Sequence, residues 1–209
     1  MIETAFDTIT QAAPHPRGGE SRVYPLPKAL SEPFGEPCVI KIYTAIAVQG
    51  TTEEFVRLED LAKHEFDIGN GLRTEGLGAP SMYETVLFDS PPEGHVHYVQ
   101  GRKIPGLVMG KFKETREFEE LGKGEHLKAL KSFVEGTVTA MRAGYHPFND
   151  TCHNRNVMYD PKGNVIFYDF SQWEQVGPLD EEEIIRFFRG DGVLPSWIFE
   201  SEKDLEAII

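Results

Sequence analysis

The run Val39-Ile40-Lys41-Ile42-Tyr43 is dense in β-branched and aromatic residues, with Pro37 and Gly50 outside it, and predicts a strand. Upstream, Gly18-Gly19-Glu20-Ser21-Arg22-Val23-Tyr24 predicts a glycine turn running into a second strand. The period then lengthens. Between Phe55 and Arg73, Leu58, Leu61, Ile68 and Leu72 fall on one stripe at spacings of three or four, and Gly76 and Gly78 follow the end of this helix. Position 65 belongs to the same stripe, and it is a glutamate.

Met82 to Phe88 and His95 to Gln100 predict antiparallel strands joined by the turn-rich Asp89 to Gly94, and Leu107-Val108-Met109 predicts a further short strand. Glu125 to Ala143 predicts an amphipathic helix with Leu127, Leu130, Val134, Val138 and Met141 on its apolar face and Gly144 as its stop. Asn156 to Asp169 reads as a β-hairpin, two apolar strands flanking Pro161-Lys162-Gly163. A last helix is expected from Glu181 to Arg189, with Asp180 as N-cap and Gly190 beyond its end. The acidic stretch from Phe199 to Ile209 reads as one more short helix. The first half is thus strand-rich with one helix and the second mainly helical. The connection is placed near Met109 to Phe112, before the charged, glycine-punctuated stretch from Lys111 to Gly124.

Composition narrows the function. Hydrophobic residues at 40% and charged residues at 26% of the 209 positions are ordinary globular usage, enough for one domain or two small lobes. A net charge of −13 repels phosphate backbones, so direct nucleic-acid binding is disfavoured. The two cysteines, Cys38 and Cys152, argue against a disulfide framework or a cysteine zinc site. Apolar runs are too short to cross a bilayer and the N-terminus lacks a basic or apolar segment, so a cytoplasmic protein with no membrane partner is expected. A chain this acidic that handles ATP must supply a lysine and a divalent metal of its own.

Three local conflicts point to such a site. Lys41 lies in the middle of an apolar strand, where an ammonium is costly to desolvate without a partner. Glu65 lies on an apolar helix stripe, where a carboxylate is costly unless a cation meets it. The two answer one another as an ion pair. The predicted hairpin brings Asn156 and Asp169 together at its open end, and an amide oxygen beside a carboxylate is a hard donor pair suited to Mg²⁺. Asp150, six residues before Asn156, is placed to accept a proton from an attacking hydroxyl or to orient it. Each feature alone admits a plainer reading: a snorkelling edge lysine, a rim glutamate, turn and strand-end duty for Asn156 and Asp169, a loop cap for Asp150. His146 and His153 lack further ligands at metal spacing and read as structural or solvent-facing.

The order of glycine turn, strand lysine, helix glutamate, loop aspartate, hairpin asparagine and strand-end aspartate resembles the protein-kinase-like superfamily. Gly-Gly-Glu-Ser-Arg-Val-Tyr (18 to 24), Val-Ile-Lys-Ile-Tyr (39 to 43), Leu-Val-Met (107 to 109) and Tyr-Asp-Phe-Ser-Gln (168 to 172) are most similar to the RIO family of atypical serine/threonine kinases. The resemblance implies a minimal bilobal α+β fold, with residues 1–110 as a strand-rich, nucleotide-binding N-lobe with one helix. Residues 111–209 are then a reduced, mainly helical C-lobe carrying the catalytic loop and metal site. It implies that Gly18, Gly19, Ser21 and Val23 form the phosphate loop and that Lys41, paired with Glu65, contacts phosphates. Met109, Gly110, Lys111 and Phe112 would line the adenine pocket, Asp150 would be the catalytic aspartate, and Asn156 and Asp169 would hold Mg²⁺, or Mn²⁺ in its place. Only 40 residues follow Asp169, in keeping with the reduced C-lobe of RIO-like proteins. Two departures stand out: Asp150 precedes Asn156 by six residues where kinases usually have five, and Arg22 occupies the glycine loop.

The expected activity is therefore Mg·ATP-dependent phosphoryl transfer to a protein serine or threonine, or ATP hydrolysis used as a switch, with an aspartyl-phosphate at Asp169 as a variant. The alternatives are a small-molecule kinase of the aminoglycoside or sugar type, for which the C-terminal material is scant, and a nucleotide-binding pseudokinase.

Overall fold

The computed structural model describes residues 2–14, 21–43, 52–89, 103–112, 114–122, 124–147 and 156–189, the side chains of 52–57 excepted. The chain divides into two compact units, Met1–Phe66 with Ser81–Lys111 and Asp67–Pro80 with Phe112–Ile209.

The first unit is built on an antiparallel sheet in the order β1-β2-β4-β3, formed by β1 (Ser21–Pro25), β2 (Cys38–Tyr43), β3 (Met82–Phe88) and β4 (Ile104–Gly110). β2 and β4 are buried along their whole length, which in an alternating strand means that both faces are covered. One face carries Cys38, Ile40, Ile42, Val86, Phe88, Ile104 and Val108. It is closed by Ile2 from an opening 3-10 turn and by Phe6 and Ile9 of α1 (Phe6–Thr10), with the Phe6 ring edge-on to Phe88 at 4.7 Å. Gly106 in β4 belongs to this face. A side chain there would press on Val86, Ile40 and Phe88 at 3.0 to 3.1 Å. A short helix, α2 (Lys28–Ser31), links β1 toward β2.

The long helix α3 (Thr52–Thr74) largely follows the predicted stripe: Leu58, Glu65, Ile68 and Leu72 are buried, and Leu61 is half-buried. The boundary between the two units falls within it. The expected strand from His95 to Gln100 lies outside the described residues; among the described residues β3 pairs with β4, with Val86 opposite Gly106.

In the second unit α4 (His126–Arg142) packs beside two small ribbons, β5 (Tyr145–Pro147) with β8 (Trp173–Gln175), and β6 (Val157–Tyr159) with β7 (Val165–Phe167). The apolar face of α4 differs from the expected one. Leu127 is 53% exposed and Val138 half-buried, while Ala129, Leu130, Phe133, Val134, Gly136, Thr137, Ala140 and Met141 are buried. The stripe is rotated toward Phe133 and Gly136 because Gly136 lets Val165 and Phe167 approach the helix backbone to about the length of a missing methyl, 2.9 to 3.3 Å from where a Cβ would stand. Gly144 ends the helix as expected, at φ 93°. Trp173 is fully buried between Phe167 and Phe170. α5 (Glu181–Arg189) begins at Asp180, whose carboxylate accepts the Glu183 N–H while the Glu183 carboxylate accepts the Asp180 N–H, a reciprocal cap. Among the described residues no helix is long and apolar enough to cross a membrane.

Candidate functional site

Strand alternation puts Val39, Lys41 and Tyr43 on the face of β2 opposite the one that packs on α1. The register sets Val23 of β1 and Leu107 of β4 on either side of Lys41, Ser21 beside Tyr43, and Met109 beside Val39. Lys41 is 5% exposed and Glu65 fully buried. The Lys41 ammonium donates to both Glu65 oxygens, at 2.9 Å to Oε1 and 2.8 Å to Oε2. The two residues that are out of place on their own apolar patterns are therefore in place together: each charge is matched where water does not reach it. The Lys41 Nζ also lies over the ring of Tyr43, 5.3 Å from its centre.

At the other end of the same row, β4 leads out through Met109 and Gly110. The Gly110 N–H donates to the Ser81 carbonyl at 2.8 Å and the Lys111 N–H to the Pro37 carbonyl at 2.8 Å, so the strand exit is held from two sides. The Glu36 carboxylate, which accepts the Tyr83 hydroxyl, stands 2.5 Å from where a Cβ of residue 110 would be, so a side chain there would have to push that carboxylate aside. Burial and that carboxylate push the Tyr83 hydroxyl pKa up. Phe112 is half-buried and belongs to the second unit. Gly18 and Gly19 lie outside the described residues.

In the second unit the hairpin is present and its register is definite: Val157 faces Phe167 and Tyr159 faces Val165. Its turn is tied by Asp160, whose carboxylate accepts the N–H groups of Lys162 and Asn164, each at 2.8 Å, and Gly163 takes φ 80°. At the open end the Tyr168 N–H points to the Asn156 carbonyl at 3.4 Å, so Asn156 sits opposite Tyr168 and Asp169 is the next residue along. One Asp169 oxygen accepts the Ser171 N–H at 3.3 Å, which turns the carboxylate at the strand end. Lys41 and Glu65 thus belong to the first unit, Asn156 and Asp169 to the second. Asp150 and His153 lie outside the described residues. His146 is half-buried on β5 with its ring edge-on to Phe187 at 5.2 Å.

Two residues that shape these surroundings carry little signal of their own in the sequence. Tyr43 reads as one more aromatic in a strand, and only its spacing of two from Lys41 marks the shared face. Gly78 reads as a helix stop. Its carbonyl accepts the Phe167 N–H at 2.8 Å, two residues before Asp169.

No protein-family model and no curated protein sequence matches the chain. Solved structures do. The Rio2 kinase of Chaetomium thermophilum, in a complex with ADP, Mg²⁺ and phosphoaspartate, superposes with a TM-score of 0.57 at 16% identity, over 96% of this chain and 59% of that one. The chain has a protein-kinase-like fold. The ROP18 kinase domain, solved with AMP-PNP and sucrose, superposes with a TM-score of 0.52 at 13% identity, over 78% of this chain and 51% of that one. The chain thus spans little more than half the length of either structure.

Proposed function

We propose that this chain binds ATP with a divalent cation and transfers its γ-phosphoryl group, acting as a RIO-like atypical serine/threonine kinase on a protein or as an ATPase switch. The observation that carries the proposal is the ion pair of Lys41 and Glu65, a buried two-oxygen contact between a strand and a helix of a protein-kinase-like fold. A buried ion pair adds little to stability compared with apolar residues of the same volume, so its presence is better explained by a use for the cation. In this reading residues 1–110 bind the nucleotide and residues 111–209 carry the catalytic loop and metal site. Gly18, Gly19, Ser21 and Val23 follow the phosphates, Lys41 contacts them, and Met109, Gly110, Lys111 and Phe112 line the base.

Asn156 and Asp169 offer hard oxygen donors at the open end of one ribbon, a set that fits Mg²⁺ or Mn²⁺. An ion held by these two residues would take its remaining ligands from phosphates and water. The metal, when bound, would neutralise charge on the transferring phosphoryl group. Asp150 would orient the acceptor hydroxyl and take its proton. In the ATPase form the Asp169 carboxylate would itself attack the γ-phosphorus, with ADP leaving and water later cleaving the acyl phosphate. The Rio2 structure, solved with phosphoaspartate, supports that variant.

Thermal melts with and without Mg·ATP test the binding. Ligand at a hundred times its Kd adds about 2.7 kcal/mol of stability to a competent protein. Labelled ATP, offered to the protein alone, to a basic or neutral protein acceptor, and to small alcohols and amines, then tests the transfer. Label that stays on the chain and is released by hydroxylamine marks the aspartyl-phosphate. Lys41→Met is expected to weaken turnover and Asp169→Ala to abolish it, and turnover unchanged in both would refute the reading.

A further inference from the structure

Lys41 is held from two sides by groups of different kinds. Glu65 takes two of its N–H directions by hydrogen bonds. The Tyr43 ring, 1% exposed and two positions along the same strand face, meets the charge with its π-face at 5.3 Å. We infer that Tyr43 is a positioning residue for Lys41, an uncharged aromatic support that fixes the ammonium for polyphosphate binding; this rests on the nucleotide reading proposed above.

The physical reason lies in what the ring does not do. A second carboxylate at position 43 would hold the lysine equally well, but it would bring another negative charge to the place where phosphates must approach. A hydroxyl or amide would occupy an N–H. An aromatic face attracts the cation through its quadrupole, adds no net charge and uses no hydrogen-bond donor. Its cross-strand neighbours are uncharged, with Val23 on β1 and Leu107 on β4 beside Lys41 and Ser21 beside Tyr43. α3 brings the Glu65 carboxylate to it. Tyr43 also stands opposite Ser21, the first residue of β1.

The test replaces Tyr43 by phenylalanine and by a series of phenylalanines carrying increasing numbers of fluorines, which drain the ring face while keeping its shape. Tyr43→Phe is expected to keep most of the ATP affinity. Each added fluorine should then raise KM for ATP further, to about three- to tenfold at full fluorination, with kcat changing less. Melting temperatures should stay level across the series. A second measurement needs no turnover: the ε-methylene resonances of Lys41, assigned by Lys41→Arg, should lie upfield in the wild type and in Tyr43→Phe and move to the ordinary lysine position in Tyr43→Leu. A flat fluorine series, or Lys41 resonances that ignore the loss of the ring, overturns the inference. If no form responds to nucleotide but the resonances move as expected, the ring holds the lysine and it is the nucleotide reading that fails.

Discussion

The carbonyl oxygen of Gly78 accepts the backbone N–H of Phe167 at 2.8 Å, and a Cβ at position 78 would collide with the carbonyl oxygen of Val165. β7 is therefore held on both edges, by β6 through the ladder and by the loop after α3 through this one bond. A backbone atom cannot swing aside as a side-chain tip can. Gly78→Ala is expected to destabilise the protein by about 1–3 kcal/mol, as overpacking does, measured by urea unfolding. Because Asp169 lies two residues beyond Phe167, the same variant should weaken Mn²⁺-dependent turnover more than nucleotide binding without metal.

The pairing of Lys41 with Glu65 makes a different prediction, one that concerns stability and needs no assay of function. Removing one partner leaves the other charge buried without its match, so Lys41→Met and Glu65→Leu should each cost about 3–5 kcal/mol. Removing both replaces the pair with apolar volume and should recover much of that loss. A double-mutant cycle by denaturant unfolding measures the coupling. Single variants that lose nothing would show that the two charges reach water.

Lys41 and Glu65 were legible in the sequence because each violates its own local pattern, and a violation that persists in a folded chain asks for a partner. The hairpin was legible for the opposite reason, since two apolar runs and a Pro-Lys-Gly turn agree with one another. The pairing of β3 with β4 was not. Strand pairing is a long-range choice, and although Leu107 to Met109 reads as a strand, its extension back to Ile104 is hidden behind Pro105 and Gly106, a glycine that is there for the sake of Val86, Ile40 and Phe88. Gly78 shows the same limit, because nothing within a few residues of it announces that β7 will lie against its backbone. Of the proposed site, the cation and its carboxylate could be read ahead, while the ring of Tyr43 needed the register of β2 to be seen as part of it.

The rotated face of α4 can be tested with two leucines of one helix. Leu130 is 3% exposed and Leu127 is 53% exposed, although helical spacing alone puts both on one stripe. Leu130→Ala should lose about 2–5 kcal/mol through lost burial and the cavity left behind. Leu127→Ala should stay within about 0.5 kcal/mol of the wild type, as exposed substitutions do. Equal losses at the two positions would mean that the helix face is set by the stripe and not by the approach of β7 to Gly136.

A pH dependence follows from Glu125. The Arg116 guanidinium bonds both of its carboxylate oxygens, at 3.0 and 2.7 Å, and the Gly122 N–H donates to one of them at 2.8 Å. Those contacts hold its pKa at about 2, below the ordinary glutamate value of 4.5. A carboxylate whose pKa falls on folding binds its proton more tightly in the unfolded chain, so its stabilising effect is complete above the unfolded pKa and fades as pH drops through the folded one. The melting temperatures of wild type and Glu125→Gln should therefore differ by a constant amount near neutral pH. The gap should narrow as the pH is lowered from 4.5 toward about 2. Both groups are partly open to solvent, so added salt should shrink the neutral-pH gap as well. A gap that holds steady through acid would mean that Glu125 supports the start of α4 by shape, through its reach to Gly122, and not by its charge.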